Sequence, residues 1–385
     1  MVTVTHDALS SNDLVNGVLW DGWKWQDGGT PLSLTYYFAE DGGVSWTQSA
    51  KTALVTALGT YAQVANITFS ETAVRADATF VENLVTHAQQ PGAVGSHDTP
   101  QGAASANTRI LDGAHSSSLA INQAGGYYTI DYSGWGGPAD WTGDLIASGG
   151  YVADIMIHEL GHALGLKHPH DIIGSAPTFP GVTDGDDVDP GSNDLNHMFF
   201  STMSYIQSYH FDVDGHLVLD PTRFTVNNQL DYGYASTPMA FDIAAIQYLY
   251  GVNSTYHTGN DVYLLPEADV TGAVSTNWSS IWDAGGTDTL EYDGSGNVIL
   301  DLRAATLDDS PTGGGILSYA AFIHGGFTIA NGVVIEKAVG GSGNDSITGN
   351  SSDNSFRGRG GDDTIEGGAG ERTPRSWPGS GQATR

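Results

Sequence analysis

The chain has 385 residues, with 13 Lys and Arg against 44 Asp and Glu, and a formal net charge of −31. This charge argues against nucleic acid and anionic membrane as partners and favours cation binding. The chain contains no cysteine, which excludes disulfides, thiolate metal sites and a cysteine nucleophile. No apolar run approaches the roughly 20 residues that a membrane-spanning helix needs, so membrane insertion is not expected.

The first part of the chain is predicted to alternate short strands with one clear helix. Residues 1–18 are polar and without a strong period, and we interpret them as a leader or pro-segment that lacks the features of a secretory signal peptide. Ser45 or Thr47 can cap a helix that runs to about Val64. Strands are predicted at residues 34–38, 67–70 and 78–81. The stretch rich in Gly, Ser and Asn over residues 86–141 is expected to wall a substrate cleft, with a long surface excursion as the alternative.

A histidine-rich run predicts a catalytic zinc site. His158 and His162 lie four residues apart, so on a helix over residues 150–166 they share one face and can bind one metal ion. Glu159 then points to the side where a metal-bound water lies. Gly165 can end the helix with a positive φ, and the reversed chain brings in His168 as a third ligand. Three protein ligands and an open position are typical of a catalytic rather than a structural zinc.

A last apolar helix is expected at the end of this domain. The helix is predicted over residues 241–250 and is closed by Gly251. We therefore expect a zinc-binding catalytic domain over residues 19–252, preceded by the leader of residues 1–18.

Three consecutive nine-residue repeats begin at residues 340, 349 and 358, with Asp, Asn and Asp at their sixth positions. Such repeats predict a parallel β-roll, in which six residues form a Ca²⁺-binding turn and three form a strand. Turns two repeats apart stack on the same side, so two of the Asp side chains can hold one Ca²⁺ between them. The expected calcium-binding residues are Gly341, Gly343, Asp345, Gly361 and Asp363, with Asp283 and Asp288 of the similar segment 282–290 as candidates for another ion.

The calcium-binding domain is expected over residues 253–371, after which the pattern fails. A fourth repeat starts in register at Gly367 but has Arg372 and Pro374 at its sixth and eighth positions. Residues 372–385 are therefore predicted to be an aberrant tail left by a frameshift, a truncation or a cloning scar.

Residues 201–205, Ser-Thr-Met-Ser-Tyr, complete a resemblance to the serralysins, which are secreted bacterial metzincins of peptidase family M10B with a C-terminal RTX β-roll. The resemblance covers about residues 19–371. It implies an α+β fold, with a mixed five-stranded sheet and an active-site helix followed by an all-β parallel β-roll. It also implies Met203 as an apolar floor beneath the ligands and Tyr205 as a further zinc ligand that swings away to stabilise the oxyanion. The implied cofactors are one catalytic Zn²⁺ and several structural Ca²⁺ ions.

The resemblance further implies a monomeric extracellular protein, exported by type I secretion machinery in its full-length form, with a periplasmic proteinaceous inhibitor among its candidate partners. Two features depart from the family pattern. The C-terminal export signal is missing from this chain, and Pro169-His170 replaces the usual Pro-Gly. We expect His170 to be an exposed loop residue rather than a fourth ligand.

The reaction that these features predict is endoproteolysis of protein or peptide substrates by a zinc-activated water, with Glu159 as general base and then acid. A strand bordering the cleft is expected to bind the substrate by backbone pairing. Two alternatives stay open. One is a narrow processing protease for a single surface protein, suggested by the long loop after His168. The other is a non-catalytic, Ca²⁺-dependent surface or matrix module.

Overall fold

The fold is described from a computed structural model, for residues 2–131, 143–219, 232–268 and 276–368. A mixed five-stranded sheet with helices forms the first part, and two largely parallel sheets form the second. This arrangement confirms the predicted α+β fold class. No helix within these ranges is long and apolar enough to cross a membrane. The predicted aberrant tail and the end of the Gly-rich stretch, residues 132–141, lie outside the described residues.

The α-helices of the described ranges are α1 (Asp13–Asn16), α2 (Gln48–Val64), α3 (Tyr151–Ala163) and α4 (Ala240–Tyr250). The start of α2 follows the prediction, because the Thr47 hydroxyl accepts a hydrogen bond from the Ala50 N–H. Helix α2 also positions α3, since the buried Tyr61 hydroxyl donates to the Ile157 carbonyl at 2.8 Å. Helix α4 ends at Gly251, whose φ of +82° confirms the predicted stop.

The strands of the first part are β1 (Thr3–His6), β2 (Trp23–Gln26), β3 (Leu32–Ala39), β4 (Ile67–Glu71), β5 (Phe80–Val85), β6 (Gly95–His97), β7 (Asn107–Ile110), β8 (Ser116–Leu119) and β9 (Ala124–Thr129). The main sheet has the order β4-β3-β5-β9-β6. Strands β3, β4, β5 and β9 pair in parallel, and β6 pairs antiparallel with β9. The edge strand β6 packs against α3 and therefore lies closest to the histidine-rich run.

The N-terminal segment is folded onto this part of the molecule. Strand β1 pairs antiparallel with β2, and the Asn12 side chain caps α1 by accepting from Leu14 N and Val15 N. Leu14, Val15 and Val18 are buried in the main hydrophobic core. Residues that the sequence alone indicated as a polar leader thus contribute to the core, and their removal stays a prediction.

A hairpin of β10 (Tyr209–Phe211) and β11 (Leu217–Leu219) precedes α4 at the end of the first part. The second part follows α4. The following strands are β12 (Val262–Leu264), β13 (Trp278–Ile281), β14 (Thr289–Glu291), β15 (Val298–Asp301), β16 (Ser318–Ala320), β17 (Gly326–Ile329), β18 (Lys337–Val339), β19 (Ser346–Thr348), β20 (Ser355–Arg357) and β21 (Thr364–Glu366). They form one sheet of order β12-β14-β18-β20 and another of order β13-β17-β16-β15-β19-β21.

Successive repeats alternate between the two sheets. Strands β18 to β21 begin nine residues apart, and strands two repeats apart pair in parallel, β18 with β20 and β19 with β21. Ala338, Ile347 and Phe356 point inward and are buried. This is the stacking that the nine-residue period predicted.

The two parts share one hydrophobic core. Trp278 of β13 packs against Phe199, with ring centroids 4.6 Å apart, and its indole N–H donates to the Tyr209 hydroxyl at 3.0 Å. An isolated bridge also pairs Ala235 with Trp278. The roll is thus fixed to the helical part through its first strands.

Candidate metal centre

Helix α3 and the turn after it bring three histidines to one point. The Nε2 atom of His168 lies 3.2 Å from that of His158 and 3.1 Å from that of His162. Gly165 makes the turn possible because its φ is +100° and a Cβ there would lie 2.3 Å from the Trp23 carbonyl oxygen. The chain reversal predicted from the sequence is therefore present, and all three predicted ligands meet.

The other ring nitrogen of each histidine faces an acceptor outside this point. The Nδ1 atoms of His158 and His162 lie 2.8 and 2.9 Å from the carbonyl oxygens of Thr202 and Leu166. His168 Nδ1 lies 2.8 Å from the Asp171 carboxylate. Each Nδ1 therefore carries the proton, and each Nε2 presents a lone pair to the shared point.

Three converging lone pairs fit a tetrahedral zinc. Nitrogen ligands at about 2.0–2.1 Å from zinc lie about 3.3–3.4 Å apart, close to the separations found here. Burial lowers the pKa of His158 to about 4 and the pKa of His162 and His168 well below the usual value. Neutral imidazoles are the form that binds metal, so the side chains at this point suit the ion.

Met203 is fully buried against helix α3. Gly161 of α3 leaves the space for it, because a Cβ on Gly161 would lie 2.6 Å from the Met203 sulfur. The turn that carries Met203 is held by Asp242 of α4, whose carboxylate accepts from the Ser201 hydroxyl at 2.6 Å and from the Thr202 N–H at 2.7 Å. Since the Thr202 carbonyl faces His158, Asp242 also fixes the direction of a histidine.

Tyr205 borders the cluster beside His158 and His168. Its ring centroid is 4.5 Å from that of His168 and 5.7 Å from that of His158. Burial raises the pKa of Tyr205, and the Glu159 carboxylate adds to this. The phenol is therefore neutral at ordinary pH and can serve as a hydrogen-bond donor.

Glu159 is buried between α3 and the edge strand β6. Gly95 of β6 makes room for it, because a Cβ there would lie 2.7 Å from the Glu159 Oε1 atom. Burial raises the pKa of Glu159 to about 8, whereas the charges of His97 and Arg109 and a hydrogen bond from the His97 N–H lower it. Burial thus favours the protonated form of this carboxyl group, whereas the neighbouring positive charges favour the carboxylate that a general base needs.

The repeat turns place Asp345 and Asp363 together, as predicted. The Asp345 N–H donates to the Asp363 Oδ1 atom at 3.1 Å, and the Asp345 Oδ2 atom accepts from Gly341 N at 2.8 Å. The Asp363 Oδ2 atom is buried and has no hydrogen-bond partner among the described residues. Burial raises the pKa of Asp345 to about 6, and the charge of Asp363 adds to this. Two stacked carboxylates with an unsatisfied buried oxygen fit a bound Ca²⁺.

The predicted turn glycines lie in the same stack. The Gly343 carbonyl oxygen approaches Gly361 so closely that a Cβ there would be 2.0 Å away, and Gly341 approaches the Gly294 carbonyl oxygen in the same way. The turns that carry these residues are therefore in backbone contact, with Asp345 and Asp363 on one side of the roll.

Comparison with known proteins agrees with this geometry. A matrixin family model matches residues 24–173, and the model described as peptidase M10 serralysin C terminal matches residues 241–372. Serralysin C of Dickeya chrysanthemi is 37% identical over 206 residues, which is 51% of this chain. Serralysin of Proteus mirabilis and metalloprotease AprA of Pseudomonas entomophila are each 33% identical, over 52% and 51% of this chain.

The chain belongs to the serralysin-type M10 metallopeptidases. The match spans only 35–36% of the length of the three relatives. The solved structure of myroilysin aligns with 60% of this chain and 98% of its own at 15% identity, with a TM-score of 0.33, which is too distant for an argument about the fold. Membership of the family implies a catalytic Zn²⁺ and structural Ca²⁺, and the clusters described above fit both ions.

His170 corrects one expectation for this serralysin-type chain. It is buried rather than exposed, with 5% of its surface accessible. Its ring stacks on that of His168 at 5.0 Å and lies 5.1 Å from that of Tyr205. His170 forms a second group of metal-binding type with His168 and Asp171, which shares His168 with the three-histidine cluster. The loop closes over the centre, which sequence spacing could not show.

A buried ion pair behind Glu159 was not predicted. His97 Nε2 lies 3.2 Å from the Glu82 Oε1 atom, and His97 Nδ1 lies 2.8 Å from the Asp98 carbonyl oxygen. Because both ring nitrogens face acceptors, His97 is an imidazolium. The sequence did hint at this pair, because Glu82 lies within the largely apolar run 80–85 and a buried carboxylate needs a partner of opposite charge.

The segment 282–290 contacts residues that sequence reasoning missed. Asp283 groups with His257 and Asp261, and the Asp288 Oδ1 atom accepts from Asp261 N at 2.8 Å. Within the part of the chain that the structure describes, the Asp288 Oδ2 atom is buried without a hydrogen-bond partner. The sequence did contain a signal for Asp261. Gly-Asn-Asp at residues 259–261 precedes strand β12, just as Gly-Asn-Asp at residues 343–345 precedes β19.

Proposed function

We propose that this chain is a secreted zinc-dependent endopeptidase, with His158, His162 and His168 as zinc ligands and Glu159 as general base. The observation that carries the proposal is the convergence of three Nε2 lone pairs beside a buried carboxylate at the open edge of a sheet. A structural zinc site, by contrast, is closed by a fourth protein ligand and needs no carboxylate to act as a base.

The chain's own residues divide the chemistry among them. A zinc ion held by His158, His162 and His168 would activate a water and polarise the scissile carbonyl. Glu159, beside these ligands, would accept a proton from the attacking water and return it to the departing amine. Tyr205, beside His168 and with its proton retained, donates a hydrogen bond to the oxyanion. Met203 and the buried wall around Glu159 keep bulk water from the reacting atoms.

Strand β6 is suited to bind the substrate in extended form. Thr129 N donates to the Val94 carbonyl and Asp98 N donates to the Gly125 carbonyl, so the main-chain groups of Gly95 and His97 face the free edge. The His97 N–H donates a hydrogen bond to Glu159. The carbonyl groups of Gly95 and His97 and the Gly95 N–H therefore remain for pairing with a substrate. Pairing through the backbone predicts broad sequence specificity.

The same proposal covers the rest of the chain. Residues 19–252 form the catalytic part, and residues 253–371 bind Ca²⁺ through Asp345, Asp363, Asp283, Asp288 and the turn glycines. Since folding of such a roll depends on Ca²⁺, an extracellular, calcium-rich location suits it. Export by a type I system, a monomeric state and a periplasmic inhibitor are the family expectations for the full-length protein.

Hydrolysis of a panel of unrelated denatured proteins tests the proposal. In Ca²⁺ buffer, the zinc-loaded chain should cut every member, and a zinc chelator should abolish cutting. Cleavage of only one protein would replace broad specificity with a processing role. No cleavage by a chain carrying one zinc would favour the non-catalytic module.

A further inference from the structure

Lys167, next to the third histidine, is fully buried and has an unusual set of partners. Its side chain is 0% exposed, although lysine is almost never buried unless its charge is paired. Its ammonium donates to backbone carbonyls rather than to a carboxylate. The Nζ atom lies 2.6, 2.7, 2.9 and 3.2 Å from the carbonyl oxygens of Gly17, Asp171, Pro177 and His168.

These four oxygens come from two segments that are distant in the sequence. Gly17 follows α1 in the N-terminal segment, whereas His168, Asp171 and Pro177 belong to the loop after α3. Backbone bonds reinforce the junction, since Lys167 N donates to the Val18 carbonyl and Trp20 N donates to the Gly165 carbonyl. The ammonium thus occupies an oxygen cage of the kind that usually holds a cation.

Two of the four oxygens bear directly on the third ligand. The His168 carbonyl belongs to the ligand itself, and the Asp171 backbone carries the carboxylate that faces His168 Nδ1 at 2.8 Å. The hydrogen bonds from Lys167 hold the main chain of His168 and Asp171 in place. They therefore hold the His168 ring and the carboxylate that it faces. Such outer contacts commonly change metal affinity by about 10- to 100-fold.

We propose that Lys167 is a positioning residue of the zinc centre, whose buried ammonium joins the N-terminal segment to the His168 loop and holds His168 in its ligating geometry. Residues 12–18 are then part of the support of the metal centre. This inference rests on the proposed zinc ligands and not on proteolysis.

Lysine-to-methionine replacements at two sites form a matched test. Lys167→Met removes the donors and keeps the length of the side chain. Lys24→Met is the control, because Lys24 also donates to a carbonyl, that of Leu249 at 3.0 Å, and also contacts the N-terminal segment, through Asp7 at 2.6 Å, away from the zinc loop. Zinc affinity is measured by competition with a chelator, and the melting temperature is measured on the zinc-free proteins.

The expected result is a zinc Kd raised at least tenfold by Lys167→Met and less than threefold by Lys24→Met. Lys167→Gln, which keeps two donors, should fall between Lys167→Met and wild type. A Kd within threefold of wild type for Lys167→Met, with only the melting temperature lowered, would make Lys167 a structural residue alone and overturn the proposal.

Wild-type protein supplies a second test if the variants do not fold. Hydrogen exchange is compared with and without zinc for peptides covering residues 14–22 and, as a control, residues 50–62 of α2. Faster exchange without zinc in the first peptide only is expected, and equal protection in both states would overturn the proposal. A wild type that binds zinc but cuts no protein would refute the proposed function and leave this inference standing.

Discussion

The ring of each histidine in the zinc centre is oriented by a hydrogen-bond acceptor that lies outside helix α3. His158 faces the carbonyl of Thr202, His162 that of Leu166, and His168 the carboxylate of Asp171. None of these acceptors is on helix α3, although two of the ligands are. The direction of His158 is therefore set by a contact distant in sequence, whereas His162 and His168 face acceptors in the turn and loop that follow α3. Changes outside the histidine run can weaken the site.

The buried pair behind Glu159 gives a prediction about stability. Glu82→Gln removes the counter-charge of the His97 imidazolium, and breaking a buried pair costs about 3–5 kcal/mol. Urea unfolding of zinc-saturated protein should show a loss of roughly this size. The double variant Glu82→Gln with His97→Gln should be more stable than the sum of the single changes predicts, because neither charge is left alone. Strict additivity would show that the two charges do not interact.

His197 gives a prediction about pH. It is buried, with its Nε2 atom 3.1 Å from the Ser208 carbonyl, and burial lowers its pKa to about 4. Below pH 6.5 the unfolded chain binds a proton that the folded protein does not. Stability is therefore lost as pH falls from about 6.5 towards 4, by about 2 kcal/mol between pH 7 and pH 5.

The variant His197→Gln should lack the pH-dependent loss of stability that His197 causes. Its free energy of unfolding, measured on zinc-saturated protein, should change less than that of wild type between pH 7 and pH 5. Parallel curves for the two proteins would show that His197 does not contribute to the pH dependence.

At the scale of the elements, helix α3 is constrained at Gly161 by the side chains of Met203 and Tyr61. Gly161→Ala would normally favour a helix by about 1 kcal/mol, but here the added Cβ would lie 2.6 Å from the Met203 sulfur and 2.9 Å from the Tyr61 hydroxyl. We expect a net loss of about 1–3 kcal/mol and weaker zinc binding. Gly59→Ala in α2, where nothing lies within 4 Å, should instead stabilise. A stabilising Gly161→Ala would refute the tight packing of α3 on Met203.

Helices and repeats were predictable because their signals are local. The cap at Thr47, the stop at Gly251 and the nine-residue period each depend on residues close in sequence. The burial of His170 and the ion pair of Glu82 with His97 depend on which segments meet in space. No local pattern reports such contacts, which is why the polar N-terminal segment also gave no sign of its place in the core.

At the scale of the whole molecule, the roll and the helical part share a core around Trp278. Calcium bound between the turns should therefore stabilise the whole chain, because Ca²⁺ binds only the folded roll. Removal of Ca²⁺ with EGTA should lower the melting temperature of the wild type. Asp363→Asn should lower it in Ca²⁺ and reduce the further effect of EGTA, whereas Asp362→Asn, at an exposed position, should behave as wild type. An EGTA shift unaffected by Asp363→Asn would place the ions elsewhere.

The measurement that tests the central claim most directly compares wild type with Glu159→Gln on denatured casein in Ca²⁺ buffer, with zinc content assayed on both. We predict about one zinc per chain in each protein, cleavage by the wild type, and a loss of several orders of magnitude in the variant. A zinc-loaded Glu159→Gln variant that keeps activity within tenfold of the wild type would contradict the role of Glu159 as the base.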